Sequence, residues 1–303
     1  MKLPGPLVAE LEGRFGTVRG ATAVSGGSIS TTARVQTSDG PIFLKYGAGS
    51  PERLFETEAA GLAALRAVAG DEIVIPEVLD FEDGGENARE IGWLALEWLT
   101  PYGTAATDPE RLGRGLARIH SARAECWGWD TDGFIGSLPQ TNALATDWAS
   151  FWVERRLRPQ LHLAGFGAVG AVELWEKLFV AIPDLLSVAQ ADGPSPLHGD
   201  LWNGNVVPMA EGRCALVDPS FYHGHREVDL AMIDLFGGFS ARMRDAYLEA
   251  LPLAEGYEEV RRGVYQLYYL LVHVNLFVGG YSARTMHVLQ QVLAAIPRGS
   301  LSR

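Results

Sequence analysis

The pattern of apolar and polar residues changes character about a third of the way along the 303-residue chain. Before residue 100, short apolar or β-branched runs are separated by turn-forming residues, which predicts strands joined by hairpins. Residues 54–68 instead show helical spacing, and helical spacing dominates beyond residue 100. The predicted strands are 21–24, 29–37, 41–46, 73–81 and 92–99, and the predicted later helices are one capped by Asp108 and those at 147–164, 171–191, 227–250 and 257–296.

This order of elements predicts an α+β fold with two lobes. A small β-rich N-lobe is expected in residues 1–100 and a large, mainly helical C-lobe in residues 101–303. The boundary follows the apolar run that ends at Leu99. If this segment is the hinge of a two-lobed kinase, the backbone from Glu97 to Leu99 lines a nucleotide base, although an ordinary central strand would show the same pattern.

The candidate chemistry is organised around the stretch His-Gly-Asp-Leu-Trp-Asn-Gly-Asn that ends at Asn205. Asp200 lies in this stretch, and Asp218 follows after two short predicted strands. If those strands pair as a hairpin, Asn205 and Asp218 face each other at one end of it. An amide oxygen and a carboxylate suit Mg²⁺, which takes its other ligands from phosphates and water. With Asp200 as proton acceptor, the layout is that of a kinase catalytic loop and metal site, although each residue alone is more often structural.

A second candidate pair is Lys45 and Glu58. The chain has 22 arginines but only three lysines, so a lysine within a predicted strand indicates that a compact ammonium is needed there. Glu58 lies on the apolar face of the predicted helix, where a carboxylate needs a cation. Pairing of the two would direct Lys45 towards nucleotide phosphates. The alternative is an exposed lysine on an edge strand.

Other polar residues are weaker candidates. The turn formed by Gly26, Gly27, Ser28 and Ile29 could bring backbone N–H groups close to phosphates, although most such turns are only turns. His223 and His225 suit substrate contact or a turn better than zinc, since no further Cys or His ligands lie nearby. Two further features are interpreted as structural, namely Asp229 as a helix cap and Arg155, Arg156 and Arg158 as a solvated face.

Composition narrows the function classes. A net charge of −12 and a pI near 5.1 argue against nucleic-acid or anionic-membrane partners, which need clustered cations. The most apolar segment, 267–278, is too short and too polar to span a bilayer and is expected to be a buried helix. Two cysteines and the lack of a signal peptide fit a cytoplasmic location. The oligomeric state is not predicted.

These motifs resemble the fructosamine kinase (ketosamine-3-kinase) family, a branch of the protein-kinase-like superfamily beside the aminoglycoside phosphotransferases. The resemblance extends from about residue 25 to about residue 281. It is carried most clearly by the segments 55–62, 135–142, 198–205 and 222–230.

The resemblance implies a two-lobed protein-kinase-like fold with ATP in the cleft. It implies phosphorylation of the 3-hydroxyl of fructosamine or ribulosamine adducts, free or protein-bound, after which the adduct decomposes and frees the amine. Asp200 would be the base and Trp202 a substrate contact. Asn205 and Asp218 would hold Mg²⁺, and Lys45 with Glu58 would hold the ATP phosphates beneath the loop 26–29.

Two alternatives remain at the level of sequence. One is a phosphotransferase for another small hydroxylated substrate, such as an aminoglycoside. The other is a catalytically silent nucleotide-binding protein, which nothing in the sequence favours because the candidate catalytic residues are all present.

Overall fold

The computed structural model describes residues 1–24, 30–85, 90–101, 107–165, 169, 171–277 and 279–296. The N-terminal third is built from a series of strands flanked by a pair of helices. The helices are α1 (Gly5–Phe15) and α2 (Leu54–Ala69), and the strands are β1 (Val18–Ala23), β2 (Thr31–Thr37), β3 (Pro41–Ala48), β4 (Ile73–Val74), β5 (Val78–Glu82) and β6 (Ile91–Glu97).

Five of these strands form an antiparallel sheet in the order β1-β2-β3-β6-β5. Strand β6 is buried on both faces, which explains why its sequence is a nearly continuous apolar run. Trp93 and Ala95 face α1, whereas Leu94 and Leu96 share a core with α2. Lys45 lies opposite Leu94 in the register of β3 and β6, so its side chain points to the α2 side of the sheet.

The strand predicted over 73–81 is divided in the structure. Its N-terminal segment, β4, does not join the five-stranded sheet but pairs in parallel with a strand of the helical region, β11 (Cys214–Leu216). Pro76 lies between β4 and β5, and proline cannot donate a hydrogen bond to a continuous ladder. The division therefore attaches the N-terminal region to the strand that precedes the candidate metal residue Asp218.

The remainder of the described chain is mainly helical. Its helices are α3 (Pro109–Ser121), α4 (Trp148–Trp152), α5 (Arg158–Ala164), α6 (Val172–Leu185), α7 (Ser187–Asp192), α8 (Glu227–Phe236), α9 (Ala241–Ala250), α10 (Arg262–Leu276) and α11 (Tyr281–Ala295). Its further strands are β7 (Gly133–Ile135), β8 (Leu138–Gln140), β9 (Ser195–Leu197), β10 (Val206–Pro208) and β12 (Tyr222–Gly224). The predicted arrangement of a small sheet-based region and a large helical region is confirmed.

Helix α10 lies in the centre of the helical region. Its residues Leu267, Tyr268 and Tyr269 are almost completely inaccessible and belong to the largest apolar core. The predicted buried helix at 267–278 is therefore confirmed through Leu276. Within the described residues, no helix is long and apolar enough to cross a membrane.

The helix predicted over 147–164 contains a π turn, Val153–Leu157, between α4 and α5. The prediction that its arginines form a solvated face is wrong for Arg156, whose accessible fraction is 0%. The guanidinium stacks 4.0 Å from the ring centroid of Tyr222 and 4.7 Å from that of Phe151. Arg156 is four residues after Trp152, which is also fully buried, so helical spacing places both side chains on the same face.

Candidate active site

Strands β10 and β11 form the predicted hairpin, with Val206 opposite Leu216. Asn205 precedes the first strand and Asp218 follows the second. The Val217 N–H donates to the Asn205 carbonyl at 3.1 Å, so the ladder extends to the two candidate metal residues. The hairpin therefore brings Asn205 and Asp218 to the same end, as predicted.

Asn205 also fixes Asp200. Its Nδ2 donates to the Asp200 carbonyl at 2.8 Å and to the Asp200 Oδ2 at 3.2 Å. This use of the nitrogen leaves the Asn205 Oδ1 as an acceptor. Burial raises the pKa of Asp200 to about 7, with the charge of Asp218 adding to the effect and the Asn205 hydrogen bond opposing it. The carboxyl group is thus poised to take up a proton near neutral pH.

Lys45, Glu58 and Asp218 form one charged cluster. The Lys45 Nζ lies 2.8 Å from both Glu58 carboxylate oxygens and 3.1 Å from the Asp218 Oδ1. Burial lowers the pKa of Lys45, but the charges of Asp218 and Glu58 outweigh it, so the net shift is upward and the ammonium stays charged. The predicted Lys45–Glu58 pair is therefore present. Asp218 is the most exposed member of the cluster, with 29% of its side chain accessible to solvent.

The backbone of Asp218 has a φ of +58°, a left-handed conformation that non-glycine residues rarely adopt. Such a conformation costs on the order of 1 kcal/mol or more and persists only where the surroundings impose it. It is one of three such non-glycine residues among those described. The strain lies at the end of the hairpin where the carboxylate faces the cleft.

Asp229 supports the same loop from behind. Its carboxylate accepts the N–H of His198 at 2.8 Å and the N–H of Gly199 at 2.9 Å, and it lies 3.2 Å from the His120 Nε2. The predicted structural role of Asp229 is therefore confirmed, although the N–H groups that it accepts belong to the catalytic loop and not to its own helix. A sequence signal for burial existed, because the neighbouring Val228 and Leu230 are both apolar.

Gly199 stands where protein kinases have an arginine, and the structure explains the glycine. Its φ is +81°, and a Cβ atom there would lie 2.1 Å from the Ser220 carbonyl oxygen. The loop of Asp200 and the segment after Asp218 are therefore in direct backbone contact. The Ser220 N–H also donates to the His198 carbonyl at 2.9 Å.

A cleft of about 1140 Å³ runs between the sheet-based region and the helical region. The Glu97 carboxylate accepts from the Glu77 N–H at 2.8 Å and from Arg66, and the Glu97 N–H donates to the Glu77 carbonyl at 2.9 Å. Trp202 stands at the cleft with 43% exposure, its ring over Gly204. The predicted site residues that line this cleft are Lys45, Glu58, Glu97, Leu99, Asp200, Trp202, Asn205 and Asp218.

The structure does not bring His223 and His225 into this lining. His223 lies behind it, with its ring 5.1 Å from that of Trp129 and 5.3 Å from that of Phe221, which both line the cleft. His225 is completely buried, 2.7 Å from the Tyr265 hydroxyl and 3.2 Å from Asp192. Both ring nitrogens of His225 are occupied, so the predicted substrate contact is wrong for this residue.

The predicted phosphate loop of Gly26, Gly27, Ser28 and Ile29 lies outside the described residues.

The donor set fits Mg²⁺ and a nucleotide. The Asn205 Oδ1 and the Asp218 carboxylate are hard oxygen ligands beside a charged ammonium. The described residues contain no group of three or more His, Cys, Asp or Glu side chains arranged for a metal. Two protein ligands suit an ion that completes its shell with phosphate oxygens and water, whereas they do not suit a structural zinc site.

A family model for fructosamine kinases matches residues 5–295. The chain belongs to the fructosamine kinase family. A probable ketoamine kinase of Synechocystis sp. is 34% identical over 290 residues, which cover 94% of each chain. The chloroplastic protein-ribulosamine 3-kinase of Arabidopsis thaliana is 32% identical over 286 residues, covering 93% of this chain and 85% of that protein.

Solved structures agree with the family assignment. A Thermobifida fusca protein described as a putative fructosamine-3-kinase has a TM-score of 0.81 at 33% identity, covering 95% of this chain and 98% of that one. An aminoglycoside phosphotransferase has a TM-score of 0.59 at 17% identity, covering 95% and 98%, and shows the fold alone. The predicted protein-kinase-like fold of this fructosamine kinase family member is confirmed.

Proposed function

We propose that this protein transfers a phosphoryl group from ATP to the 3-hydroxyl of ketosamines, the fructosamine or ribulosamine adducts of amines. The observation that carries the proposal is the gathering of Asp200, Asn205, Asp218 and the Lys45–Glu58 pair in one cleft. Relatives named ketoamine kinase and protein-ribulosamine 3-kinase support the choice of acceptor. Decomposition of the phosphorylated adduct would then free the amine, which implies a role in deglycation.

Asp200 is proposed as the residue that orients the acceptor hydroxyl and takes its proton. Its Oδ2 is fixed by the Asn205 amide at 3.2 Å, so the carboxylate is held in one orientation. Its raised pKa matches the protonation change that general base catalysis needs near neutral pH. The proton released by the hydroxyl is received on this carboxylate as the oxygen attacks phosphorus.

Lys45 is proposed to bind the α- and β-phosphates, since its ammonium is fixed by Glu58 and lies beside Asp218. Asn205 and Asp218 are proposed to hold Mg²⁺. When bound, the metal supplies charge neutralisation along the phosphate chain. The segment from Glu97 to Leu99, where Glu97 and Leu99 line the cleft, is proposed to contact the nucleotide base, and the boundary between the lobes is proposed to lie near residue 100.

The proposal is tested with the purified protein and ATP on three acceptors: ribulosyl-lysine, fructosyl-lysine and kanamycin. The expected result is ATP consumption with a ketosamine, and a product shown by NMR to carry phosphate on the 3-hydroxyl. Phosphorylation of kanamycin alone would replace the proposed acceptor class. Absence of transfer to all three acceptors, with intact nucleotide binding, would contradict a ketosamine kinase.

A further inference from the structure

The segment 135–142 identifies the family but has no role in the site as described so far. It forms the hairpin of β7 and β8, with Gly136 at the turn at a φ of +61°. The hairpin carries Gln140 and Asn142 into the lining of the cleft. Both side chains are nonetheless almost completely buried, with exposed fractions of 3% and 1%. They are therefore built into the wall.

The orientation of the Gln140 amide is fixed by its partners. Its Nε2 lies 3.3 Å from the Ser220 carbonyl oxygen, which can only accept a hydrogen bond. Its Oε1 accepts from the Tyr268 hydroxyl at 2.8 Å. A side-chain amide has two N–H donors and two acceptor lone pairs, so one donor and one acceptor position remain.

The Asn142 amide is fixed in the same way. Its Oδ1 accepts from the Arg156 Nη2 at 2.7 Å, and its Nδ2 donates to the Thr131 carbonyl at 3.0 Å. One donor and one acceptor position remain here too. Arg156 is fully buried and donates to the Thr141 carbonyl as well as to the Asn142 Oδ1, so it serves to orient Asn142. A buried cation polarises the amide that it contacts and strengthens its remaining N–H as a donor.

Gln140 connects this wall to the catalytic residues through Ser220 and Tyr268. Ser220, which accepts from Gln140, is two residues beyond Asp218. Tyr268, the other partner of Gln140, packs against Tyr269, whose hydroxyl donates to the Gly199 carbonyl at 2.8 Å. Gln140 therefore contacts the segment after Asp218 directly, and it is linked to the catalytic loop through the two tyrosines.

We infer that Gln140 and Asn142 bind hydroxyl groups of the acceptor sugar other than the one that is phosphorylated. A hydroxyl both donates and accepts, which matches the remaining donor and acceptor on each amide. The carboxylates in the described lining are Glu58 and Asp218, which pair with Lys45, together with Glu97 and the proposed base Asp200. A neutral amide wall suits a polyhydroxylated sugar chain and not a polycationic aminoglycoside. This inference rests on the proposed function and assigns its sugar subsite.

The test combines a substrate change with a side-chain change. Ribulosamine is compared with its 4-deoxy and 5-deoxy analogues, on the wild-type protein and on Gln140→Met. The matched control is Gln160→Met, a glutamine of 2% exposure that accepts from Asn275 and does not line the cleft. Asn142→Asp is a second variant, in which Arg156 keeps an acceptor while the amide donor is lost.

In the wild-type protein, removal of the recognised hydroxyl should raise KM for the ketosamine roughly 10-fold, since one hydrogen bond to a buried amide is lost. Gln140→Met should raise KM for ribulosamine by a similar factor, roughly 10-fold, and should show no additional loss with the corresponding deoxy analogue. Asn142→Asp should raise the same KM, whereas the KM for ATP should be unchanged in every variant. Gln160→Met should lower Tm without changing either KM.

The inference is overturned if the wild-type protein turns over ribulosamine and both deoxy analogues equally well. It is also overturned if Gln140→Met and Asn142→Asp fold and bind ketosamine like the wild type. These results would leave the proposed function intact. Failure of the wild-type protein to phosphorylate any ketosamine is a different result, which removes the proposed function and the sugar subsite with it.

Discussion

The carboxylates on the two sides of the catalytic loop differ in how completely the protein satisfies them. Behind the loop, Asp229 is fully buried and accepts two backbone N–H groups at 2.8 and 2.9 Å. In front, Asp200 has a pKa raised by burial, and Asp218 sits in a strained backbone conformation with its side chain partly exposed. Asp229 therefore stabilises the fold, whereas Asp200 and Asp218 each lower its stability.

This difference separates residues that hold the site from residues that act in it. A carboxylate with complete hydrogen bonding contributes to folding, because its removal leaves buried N–H groups unpaired. A carboxylate that lacks some of its hydrogen-bond partners can bind a ligand. Natural proteins tolerate the resulting loss of stability at functional sites. The following changes test that separation.

Substitution of a front carboxylate should have the largest effect on catalysis. Asp200→Asn keeps the size of the side chain but removes the base, so kcat should fall roughly 1,000-fold or more. Nucleotide binding, measured by titration with a non-hydrolysable ATP analogue, should be retained. Near-normal turnover would remove Asp200 from the role of base.

The second largest effect is expected for Asp218. Asp218→Ala should abolish the Mg²⁺-dependent component of nucleotide binding, measured by calorimetry with and without the metal. Asp218→Gly is the matched variant, since glycine accepts a φ of +58° without strain. It should lose the same Mg²⁺-dependent binding while keeping the wild-type Tm. Unchanged nucleotide affinity in the presence of Mg²⁺ would contradict the metal assignment.

Substitution of the rear carboxylate should affect stability before chemistry. Asp229→Ala leaves the N–H groups of His198 and Gly199 unpaired, so the free energy of unfolding should fall by roughly 2–5 kcal/mol. For a chain of this size that is roughly 2–4 °C in Tm for each kcal/mol. Asp245→Ala, on an exposed face of α9, is the control and should leave Tm within about 1 °C. Equal Tm values for the two variants would remove the distinction between front and rear.

Much of the front of the site could be predicted from the sequence because it depends on local elements. The spacing of Asn205 and Asp218 follows from one hairpin, and the pairing of Lys45 with Glu58 follows from a strand and the next helix. Their proposed roles in binding metal and phosphate remain predictions. Sequence spacing therefore predicts best where the residues concerned are close along the chain.

The rear of the site could not be predicted in the same way. Asp229 meets His198 across 31 positions, and Gln140 meets Ser220 across 80 and Tyr268 across 128. No periodicity records such pairings, since they arise from packing of α8, α10 and the β7–β8 hairpin around one core. The burial of Arg156 is a different case, because its position four residues after Trp152 places it on the buried face of the helix.

A further effect is a pH dependence of stability that arises from Asp200. The pKa of Asp200 is about 7 in the folded protein, whereas an unperturbed aspartate has a pKa of about 3.9 in the unfolded chain. Because the folded state binds this proton more tightly, stability falls as the pH rises from about 4 to about 7. Asp200→Asn cannot ionise and escapes that loss. The difference in Tm between Asp200→Asn and the wild type, measured without metal, should therefore grow over this pH range and then level off.

The rear carboxylate provides the control for this pH series. Asp229 is paired with backbone N–H groups and the His120 ring, so Asp229→Ala should lower Tm at pH 8. A gain of relative stability in Asp200→Asn with rising pH, together with a lower Tm of Asp229→Ala at pH 8, would show opposite roles for the carboxylates in front of and behind the catalytic loop. A constant Tm difference between Asp200→Asn and the wild type from pH 4 to pH 8 would instead mean that Asp200 has an ordinary pKa, and a proton acceptor poised near neutral pH would be lost from the proposed mechanism.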